Sequence, residues 1–405
     1  MKILVIDAKA ESIQFSVYLA DDLSLISYGK VERIGRSDGR ITIKVQIDGR
    51  REQHVEINSM INHYFGLKKI IGMLMDEHVN VIEHPLEIVA VAHKVAHGGE
   101  YYSSPAFVTK ELKKRVKRLV QFAPGHNSIN LTCIEVCQKL LKGAIHIAVF
   151  DTAFHQTIPG IAYKFPIPVK YYEDYGLRVY GTQGIAHEYL LNKTAQYLNK
   201  DADETSMISI HIDTECSIAA IKDGLCIDTS GGLYPSSGIM TATDSGDVDP
   251  AVLLHLNKIL GMKMKEIENV LFNESGMKAV SGFKDIQSCI EEMSRNNPNA
   301  TLAVEMFCHK IKKHIGMYLA LLGTTDVIVF SGRIGEKFEV IRRLSLNKMQ
   351  NLGVQIDEEK NKLQSYDNIE ISSDLSKVKV IVLPSNHHEQ IAVSARNILE
   401  TIPAE

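Results

Sequence analysis

Three aspartates stand where short apolar runs end. Asp7 follows KILVI, Asp213 follows MISIHI and Asp151 follows GAIHIAVF. A strand of this kind usually delivers its last side chain to a pocket. A phosphate pocket would continue with glycine and hydroxyl residues, which let backbone N–H groups approach the anion. After Asp7 the chain carries KAE at positions 9–11, which predicts a poor phosphate cradle.

The strand that ends at Asp7 has a counterpart later in the chain. Residues 2–7 and 13–19 form the pattern of two strands around a short turn. Residues 207–221 repeat the order of apolar strand, aspartate, serine-ended turn and second strand. Asp7 and Asp213 occupy the same place in the two stretches. This weak internal duplication predicts two related α/β domains that face each other.

Helices and strands alternate along the rest of the chain. Apolar spacing predicts helices over 108–122, 304–322 and 391–400, strands over 143–150 and 378–383, and a strand followed by a glycine turn over 326–336. The Lys/Arg run of the first helix is interpreted as a solvated face rather than a nucleic-acid patch. The polar stretch 33–58 is either a β-insertion or a flexible loop.

Composition excludes several classes of function. The 405 residues are 45% apolar and 23% charged, with a net charge of −4, which gives no electrostatic bias towards nucleic acid or acidic membrane. No apolar run is long enough to span a bilayer, and no signal peptide is evident. Six scattered cysteines without a CxxC pair predict a reducing, cytoplasmic setting. Cys133 and Cys137, one helical turn apart, are expected on a buried apolar face rather than at a metal.

Six short stretches, in order along the chain, carry a family resemblance. They are HKVAHGG, APGHN, AVFDTAFHQTIP, DTSGG, SGDVDP and LGVQIDEEKN. Together they resemble the acetate/propionate kinase family over essentially the whole chain, and AVFDTAFHQTIP is the most specific of them. The resemblance implies an α/β fold, duplicated over two domains as in sugar kinases and actin-like ATPases, with a central cleft.

The resemblance also implies domain limits and partners. An acceptor-side domain would comprise residues 1–153 with the C-terminal helix 389–405, and residues 154–388 would form the nucleotide-side and dimerisation domain. ATP and Mg²⁺ would be the cofactors, a short carboxylate the phosphoryl acceptor, and the assembly a homodimer. No nucleic acid or membrane partner is expected.

Site residues follow from the resemblance position by position. Phosphoryl transfer to a carboxylate brings negative charges together, so the enzyme must supply cations and hydrogen-bond donors around the moving group. The catalytic positions correspond to Asp151, Lys94, His126 and Gln183, and Asp7 and Asp151 are the expected metal ligands. His187 matches a second family histidine and is interpreted as structural. The nucleotide positions correspond to His211, Asp213, Thr214, Asp244, Gly332, Arg333 and Gly335.

Many of these positions depart from the family pattern. Lys94 and Asp244 stand where the family has arginine, and Gln183 stands where it has histidine. The glycine-rich HLGNG turn is HIDTE, the adenosine-side segment is shortened to GFKD, and the family's PTNEE is PSNHH. An arginine at a transferring phosphoryl group is worth roughly 10³–10⁵ in rate. The sequence therefore predicts kinase activity that is very weak or lost, and it places the use of ATP and Mg²⁺ in doubt.

The acceptor pocket departs as well. The positions that the family fills with apolar residues are here Ala96, Gly125 and Thr182, with Pro235 retained. Smaller and more polar walls would hold acetate loosely. Two explanations stay open: the pocket binds a larger or more polar ligand, or it is unused and its residues have drifted.

The sequence is compatible with three functions. The first is a divergent phosphotransferase that acts on a carboxyl group. The second is a non-catalytic pseudokinase, a homodimer that binds a ligand or a partner. The third is a metal-dependent hydrolase or binding protein built on His387 and His388, which is disfavoured because adjacent histidines on a strand point apart.

Overall fold

The computed structural model describes residues 1–47, 49–363 and 368–402. The chain divides into two compact units. The first unit comprises Met1–Phe154 with Asn386–Glu405, and the second comprises His155–Ser385. Each unit is built around one β-sheet.

The sheet of the first unit contains eight strands in the order β5-β4-β3-β2-β1-β6-β8-β7. The strands are β1 (Lys2–Lys9), β2 (Ser12–Leu19), β3 (Leu25–Glu32), β4 (Arg36–Val45), β5 (Glu52–Met60), β6 (Ile88–Val95), β7 (Ala106–Phe107) and β8 (Ile145–Phe150). Strand β1 is parallel to β6, and β6 is parallel to β8. All other neighbouring pairs in this sheet are antiparallel. The stretch 33–58 thus supplies the hairpin β4–β5, which confirms the β-insertion; Asp48 lies outside the described residues.

The sheet of the second unit contains six strands in the order β11-β10-β9-β12-β14-β13. The strands are β9 (Met207–Ile212), β10 (Cys216–Lys222), β11 (Leu225–Thr229), β12 (Val327–Ser331), β13 (Ile369–Glu370) and β14 (Lys379–Val382). The run β11-β10-β9-β12-β14-β13 matches β3-β2-β1-β6-β8-β7 strand for strand, including which neighbours are parallel. This shared topology confirms the duplication that the sequence predicted.

Helices cover the sheets and connect the strands. They are α1 (His63–Leu74), α2 (Lys110–Arg118), α3 (Pro124–Leu140), α4 (Gly160–Tyr163), α5 (Lys170–Tyr175), α6 (Gly184–Leu198), α7 (Pro250–Lys258), α8 (Met264–Asn273), α9 (Gly276–Ser281), α10 (Ile286–Ser294), α11 (Pro298–Leu322), α12 (Gly332–Lys337), α13 (Glu339–Leu346), α14 (Glu358–Lys362) and α15 (His387–Leu399). Among the described residues, none of these helices combines the length and apolarity needed to cross a bilayer.

Local sequence explains where these helices lie. In α2 the Thr109 side chain accepts a hydrogen bond from the Leu112 N–H and caps the first turn, while Leu112 and Val116 are buried beneath an outer Lys/Arg face. The predicted apolar stripe of α11, from Val304 to Leu322, is buried. Cys133 and Cys137 are buried on α3, as predicted. Burial of such stripes stabilises the fold because apolar surface leaves water.

The C-terminal helix corrects one prediction. It begins at His387 rather than 391, because the Asn386 side chain accepts a hydrogen bond from the Glu389 N–H and the Glu389 carboxylate accepts one from the Asn386 amide. His387 and His388 therefore lie in the first turn of a helix and not on a strand. The reason given for setting them aside as a metal site was wrong.

Candidate functional site

A lysine lies between two buried aspartates in the first unit. Asp7 is near the end of β1, Lys94 near the end of β6, and Asp151 directly after β8. The Lys94 Nζ is 3.4 Å from an Asp151 carboxylate oxygen and 3.9 Å from one of Asp7. The three strands are parallel neighbours, so their carboxyl ends meet at one edge of the sheet. That edge is where open α/β sheets bind ligands.

The charge of Asp7 depends on its neighbours. Burial raises the pKa of this carboxyl, but the Lys94 ammonium and the hydrogen bond from His387 outweigh burial and hold the pKa well below its usual range. Asp7 is therefore an ionised carboxylate at neutral pH. Its oxygens accept a hydrogen bond from His387 and lie close to the Lys94 ammonium.

Two histidines from α15 converge on the same carboxylate. The His387 Nε2 is 3.2 Å from an Asp7 carboxylate oxygen. The His388 Nδ1 is 2.7 Å from the Ser16 hydroxyl of β2. Burial lowers the pKa of His388 to about 3, so this imidazole is neutral at pH 7. One donor atom of each histidine lies within 4.8 Å of an Asp7 carboxylate oxygen.

The expected Mg²⁺ does not fit this set of donors. Mg²⁺ prefers oxygen ligands in octahedral geometry. Asp7, His387 and His388 offer one carboxylate and two ring nitrogens. The predicted pairing of Asp7 with Asp151 at a metal is opposed as well, because the Lys94 ammonium lies close to both carboxylates.

Two asparagines of α3 organise the loops around this site. The Asn130 side chain accepts a hydrogen bond from the Ala96 N–H and donates one to the Ala8 carbonyl, which ties the end of β6 to the end of β1. The Asn127 side chain likewise accepts a hydrogen bond from the His97 N–H and donates one to the His97 carbonyl. Sequence reasoning missed the role of Asn130. Its spacing of three residues from Asn127, on the face that also buries Cys133, is a signal that could have identified it.

The other predicted residues of the acceptor side are distributed over both units. Gly125 is exposed and His126 half-buried in the first turn of α3, in the first unit. Thr182, Gln183 and Pro235 belong to the second unit. Gln183 has a left-handed backbone (φ 58°) and precedes α6. The acceptor pocket as a whole stays a prediction.

His187 is buried in the second unit between two serines, and its structural role stays an interpretation. Its Nδ1 is 2.8 Å from the Ser209 hydroxyl and its Nε2 is 3.0 Å from the Ser217 hydroxyl. Burial, with smaller contributions from His155 and His211, holds the pKa of this imidazole well below its usual range. His211 itself is buried in β9.

An ion pair marks the corresponding sheet edge of the second unit. Asp213 follows β9, Arg333 follows β12, and the Arg333 Nε is 3.3 Å from an Asp213 carboxylate oxygen. Both side chains are largely exposed, at 44% and 66%, so the pair opens at little cost. Gly332 has φ +79°, and a Cβ there would lie 2.4 Å from the Ile212 carbonyl oxygen. Only glycine fits that approach.

A cavity of about 210 Å³ lies beside this ion pair. Its charged lining residues are Asp213, Glu215, Lys284, Asp285 and Arg333, and its larger apolar ones are Ile212, Met277, Ile286, Phe307 and Ile334. Thr214 also lines it, whereas the predicted His211, Asp244, Gly332 and Gly335 are not among its lining residues. The shortened GFKD segment contributes Lys284 and Asp285. The acids outnumber the bases by three to two on this lining.

Asp244 lies near that acidic wall. Burial raises the pKa of its carboxyl to about 6, the hydrogen bond with Thr241 opposes the rise, and the charge of Glu215 adds to it. Part of the Asp244 population is therefore protonated at slightly acidic pH. Below about pH 6, the negative charge that Asp244 places where the family has an arginine is therefore only partial.

A buried arginine supports α12, the short helix that carries Arg333. The Arg342 guanidinium donates to the Gly335 and Glu336 carbonyls at the end of α12, and to the side chain and carbonyl of Asn361. Asn361 is the last residue of the LGVQIDEEKN stretch. Through Asn361 this stretch holds Arg342, which in turn binds the α12 carbonyls, whereas none of its residues lines the cavity.

Comparison with known proteins places the whole chain in one group. The family model described as the acetokinase family matches residues 2–393. The acetate kinase of Oleidesulfovibrio alaskensis is 35% identical over 401 residues, which cover 99% of this chain and 100% of that protein. The acetate kinase of Finegoldia magna is 39% identical over 393 residues, 97% of this chain and 98% of that protein.

Solved structures agree with the sequence matches. The crystal structure of Porphyromonas gingivalis acetate kinase superposes with a TM-score of 0.91 at 33% identity and covers 98% of this chain and 99% of that one. A propionate kinase from Francisella tularensis gives a TM-score of 0.90 at 29% identity, over 97% and 98% of the two chains. The predicted fold class is thereby confirmed.

Proposed function

This chain belongs to the acetokinase family, and from that premise we propose that it transfers a phosphoryl group from ATP to the carboxylate of a short acid such as acetate. The proposal is supported by the relatives named acetate kinase. The observation that carries it is the position of Lys94, a cation flanked by Asp7 and Asp151 at the carboxyl ends of parallel strands.

Charge defines the proposed roles. An attacking carboxylate and a phosphoryl group repel each other, so a nearby cation lowers the barrier to their approach. Lys94 would supply that charge, and Asp151 would hold the ammonium in place. In the second unit, Arg333 would leave Asp213 and contact the nucleotide phosphates, since an exposed ion pair is worth only about 0–1 kcal/mol.

We expect the reaction to be slow. Asp213, Glu215 and Asp285 line the cavity where a nucleotide would bind, and they repel phosphates. Lys94 also lacks the planar fork with which arginine makes paired hydrogen bonds to phosphate or carboxylate. Loss of a well-placed arginine corresponds to about 4–7 kcal/mol of barrier, or roughly 10³–10⁵ in rate.

The test is acyl phosphate formation by the full chain. The protein is incubated with Mg-ATP and acetate or propionate, and hydroxylamine traps the product as a hydroxamate. We expect product that requires both substrates and that is lost in Lys94→Met but retained in Lys30→Met, a variant of an exposed lysine on β3. Product formed equally well by Lys94→Met would contradict the assigned role, and absence of product at any enzyme concentration would contradict the reaction.

The acidic lining favours a second candidate function, a ligand-binding protein without turnover. In this case the cavity beside Asp213 and Arg333 would take a ligand less anionic than ATP. A thermal-shift series with ATP, ADP, adenosine and short carboxylates distinguishes the two. Stabilisation by adenosine but by neither nucleotide would favour this candidate over the kinase.

We also propose that the chain is a homodimer. Support comes from exposed apolar side chains in and after α7, among them Leu254, Ile259 and Leu260. Apolar side chains mark an interface where they form a contiguous exposed patch, and these three lie within seven positions of the chain. Light scattering coupled to size exclusion tests this, and a mass of one chain would refute it.

A further inference from the structure

Asp7, His387 and His388 form a compact set of metal-binding donors, hereafter the Asp-His-His cluster. One donor atom from each residue lies within 4.8 Å of one from each of the others. The His387 Nε2 and an Asp7 carboxylate oxygen are already 3.2 Å apart. Two ligands that bind one Zn²⁺ ion tetrahedrally at about 2.0–2.1 Å are about 3.3 Å apart, so this spacing suits a shared ion.

The second observation concerns the free nitrogen of His388. His388 is only 8% exposed, and its Nε2 is buried with no hydrogen-bond partner among the described residues. The Nδ1 of the same ring is bound to the Ser16 hydroxyl. Histidines that bind metals usually have this arrangement, with one nitrogen bound to a neighbour and the other turned to the ion.

We propose that the Asp-His-His cluster binds a divalent transition-metal ion of the Zn²⁺ type rather than Mg²⁺. Imidazole nitrogens suit zinc and its first-row neighbours, whereas Mg²⁺ selects oxygen donors. Two histidines and one carboxylate leave a fourth tetrahedral position open for water or a substrate oxygen. When the ion binds, the Nε2 proton with which His387 donates to Asp7 is released to solvent, and the nitrogen lone pair and the Asp7 carboxylate both bind the metal.

Two features oppose a cation at this place and moderate its affinity. The Lys94 ammonium is 3.9 Å from the Asp7 carboxylate, and the N-terminus of α15 carries the positive end of the helix dipole. Both act equally on Mg²⁺ and Zn²⁺ because they act on charge. They therefore lower affinity without changing the preference for a metal that binds nitrogen.

The test measures binding without ATP or acetate, so its outcome is independent of the proposed reaction. Chelator-treated full chain is titrated with ZnCl₂ by calorimetry, and with Co²⁺ by visible absorption, which is intense for tetrahedral sites. We expect one site per chain, and excess Mg²⁺ should not displace the ion. His388→Gln should weaken binding by at least about 100-fold, and Ser16→Ala by about 10–100-fold.

Matched variants separate this cluster from other histidines. His78→Gln removes a histidine that is 81% exposed, and it should bind Zn²⁺ as the wild type does. The double variant His387→Glu/His388→Glu replaces nitrogen by oxygen donors and should shift the preference towards Mg²⁺. Circular dichroism verifies that each variant is folded. Absence of a one-to-one Zn²⁺ site, or a site that folded His388→Gln retains unchanged, would overturn the proposal.

Discussion

Replacing Lys94 by methionine tests the electrostatics of the first unit most directly. Methionine keeps most of the side-chain volume and removes the charge. The Lys94 side chain is 18% exposed, and those of Asp7 and Asp151 are 4% and 11% exposed. The variant therefore leaves two poorly solvated carboxylates without the ammonium that lies close to both.

The magnitude follows from the two distances. At 3.4 and 3.9 Å, and with an effective dielectric constant of about 20, each attraction is about 4–5 kcal/mol before desolvation of the ammonium is subtracted. Removing one partner of a buried ion pair typically costs 3–5 kcal/mol. We expect Lys94→Met to lower the free energy of unfolding of the first unit by about 3–5 kcal/mol near pH 7.

The loss should depend on pH in a defined direction. The folded-state pKa of Asp7 lies well below its unfolded value, so Asp7 contributes stability that is present above about pH 4 and lost as pH falls through the folded pKa. In Lys94→Met the folded pKa of Asp7 rises, because a large opposing charge is gone and burial remains. The difference between wild type and variant is therefore full at neutral pH and shrinks as the Asp7 carboxyl becomes protonated when pH falls towards and below about 4.

The assay is urea unfolding followed by circular dichroism, since the chain has no tryptophan. Each transition is fitted separately because two units need not unfold together. Lys30→Met is the matched control and should stay within about 0.5 kcal/mol of wild type. A Lys94→Met variant as stable as that control, or a loss that does not shrink as pH falls from 7 to below about 4, would refute the reasoning.

Four further predictions concern the second unit. Arg342→Met leaves the carbonyls at the end of α12 and the Asn361 side chain without their donor, and should cost about 3–5 kcal/mol in urea unfolding; a loss below about 1 kcal/mol would contradict the network. ADP affinity, measured by calorimetry, should increase as pH falls through about 6 because Asp244 becomes neutral, and Asp244→Asn should abolish this dependence. Gly332→Ala should destabilise by about 1–3 kcal/mol because of its positive φ and the adjacent carbonyl. Gly316→Ala, in open space within α11, should instead stabilise by about 0.5–1 kcal/mol in the same assay.

Much of the fold was predictable because its signals are local. The apolar run of β1 and the helical stripe of α11 reflect burial that recurs at a fixed spacing along the chain. The duplication was visible because Asp7 and Asp213 close similar strand–turn patterns. The start of α15 was missed, although Asn386 and Glu389 carry a recognisable capping pattern.

The sequence by itself determined the family, the two related α/β sheets and the aspartates at the ends of their strands. Only the tertiary structure decided what those aspartates contact. Ser16 and His388 are 372 positions apart, and their contact depends on packing of α15 against the first sheet. The sequence showed that Lys94 replaces a family arginine, but its place between Asp7 and Asp151 follows from the order of the parallel strands. Local patterns record burial and backbone preference, whereas the charge and ligand chemistry of a site depend on side chains that folding alone brings together.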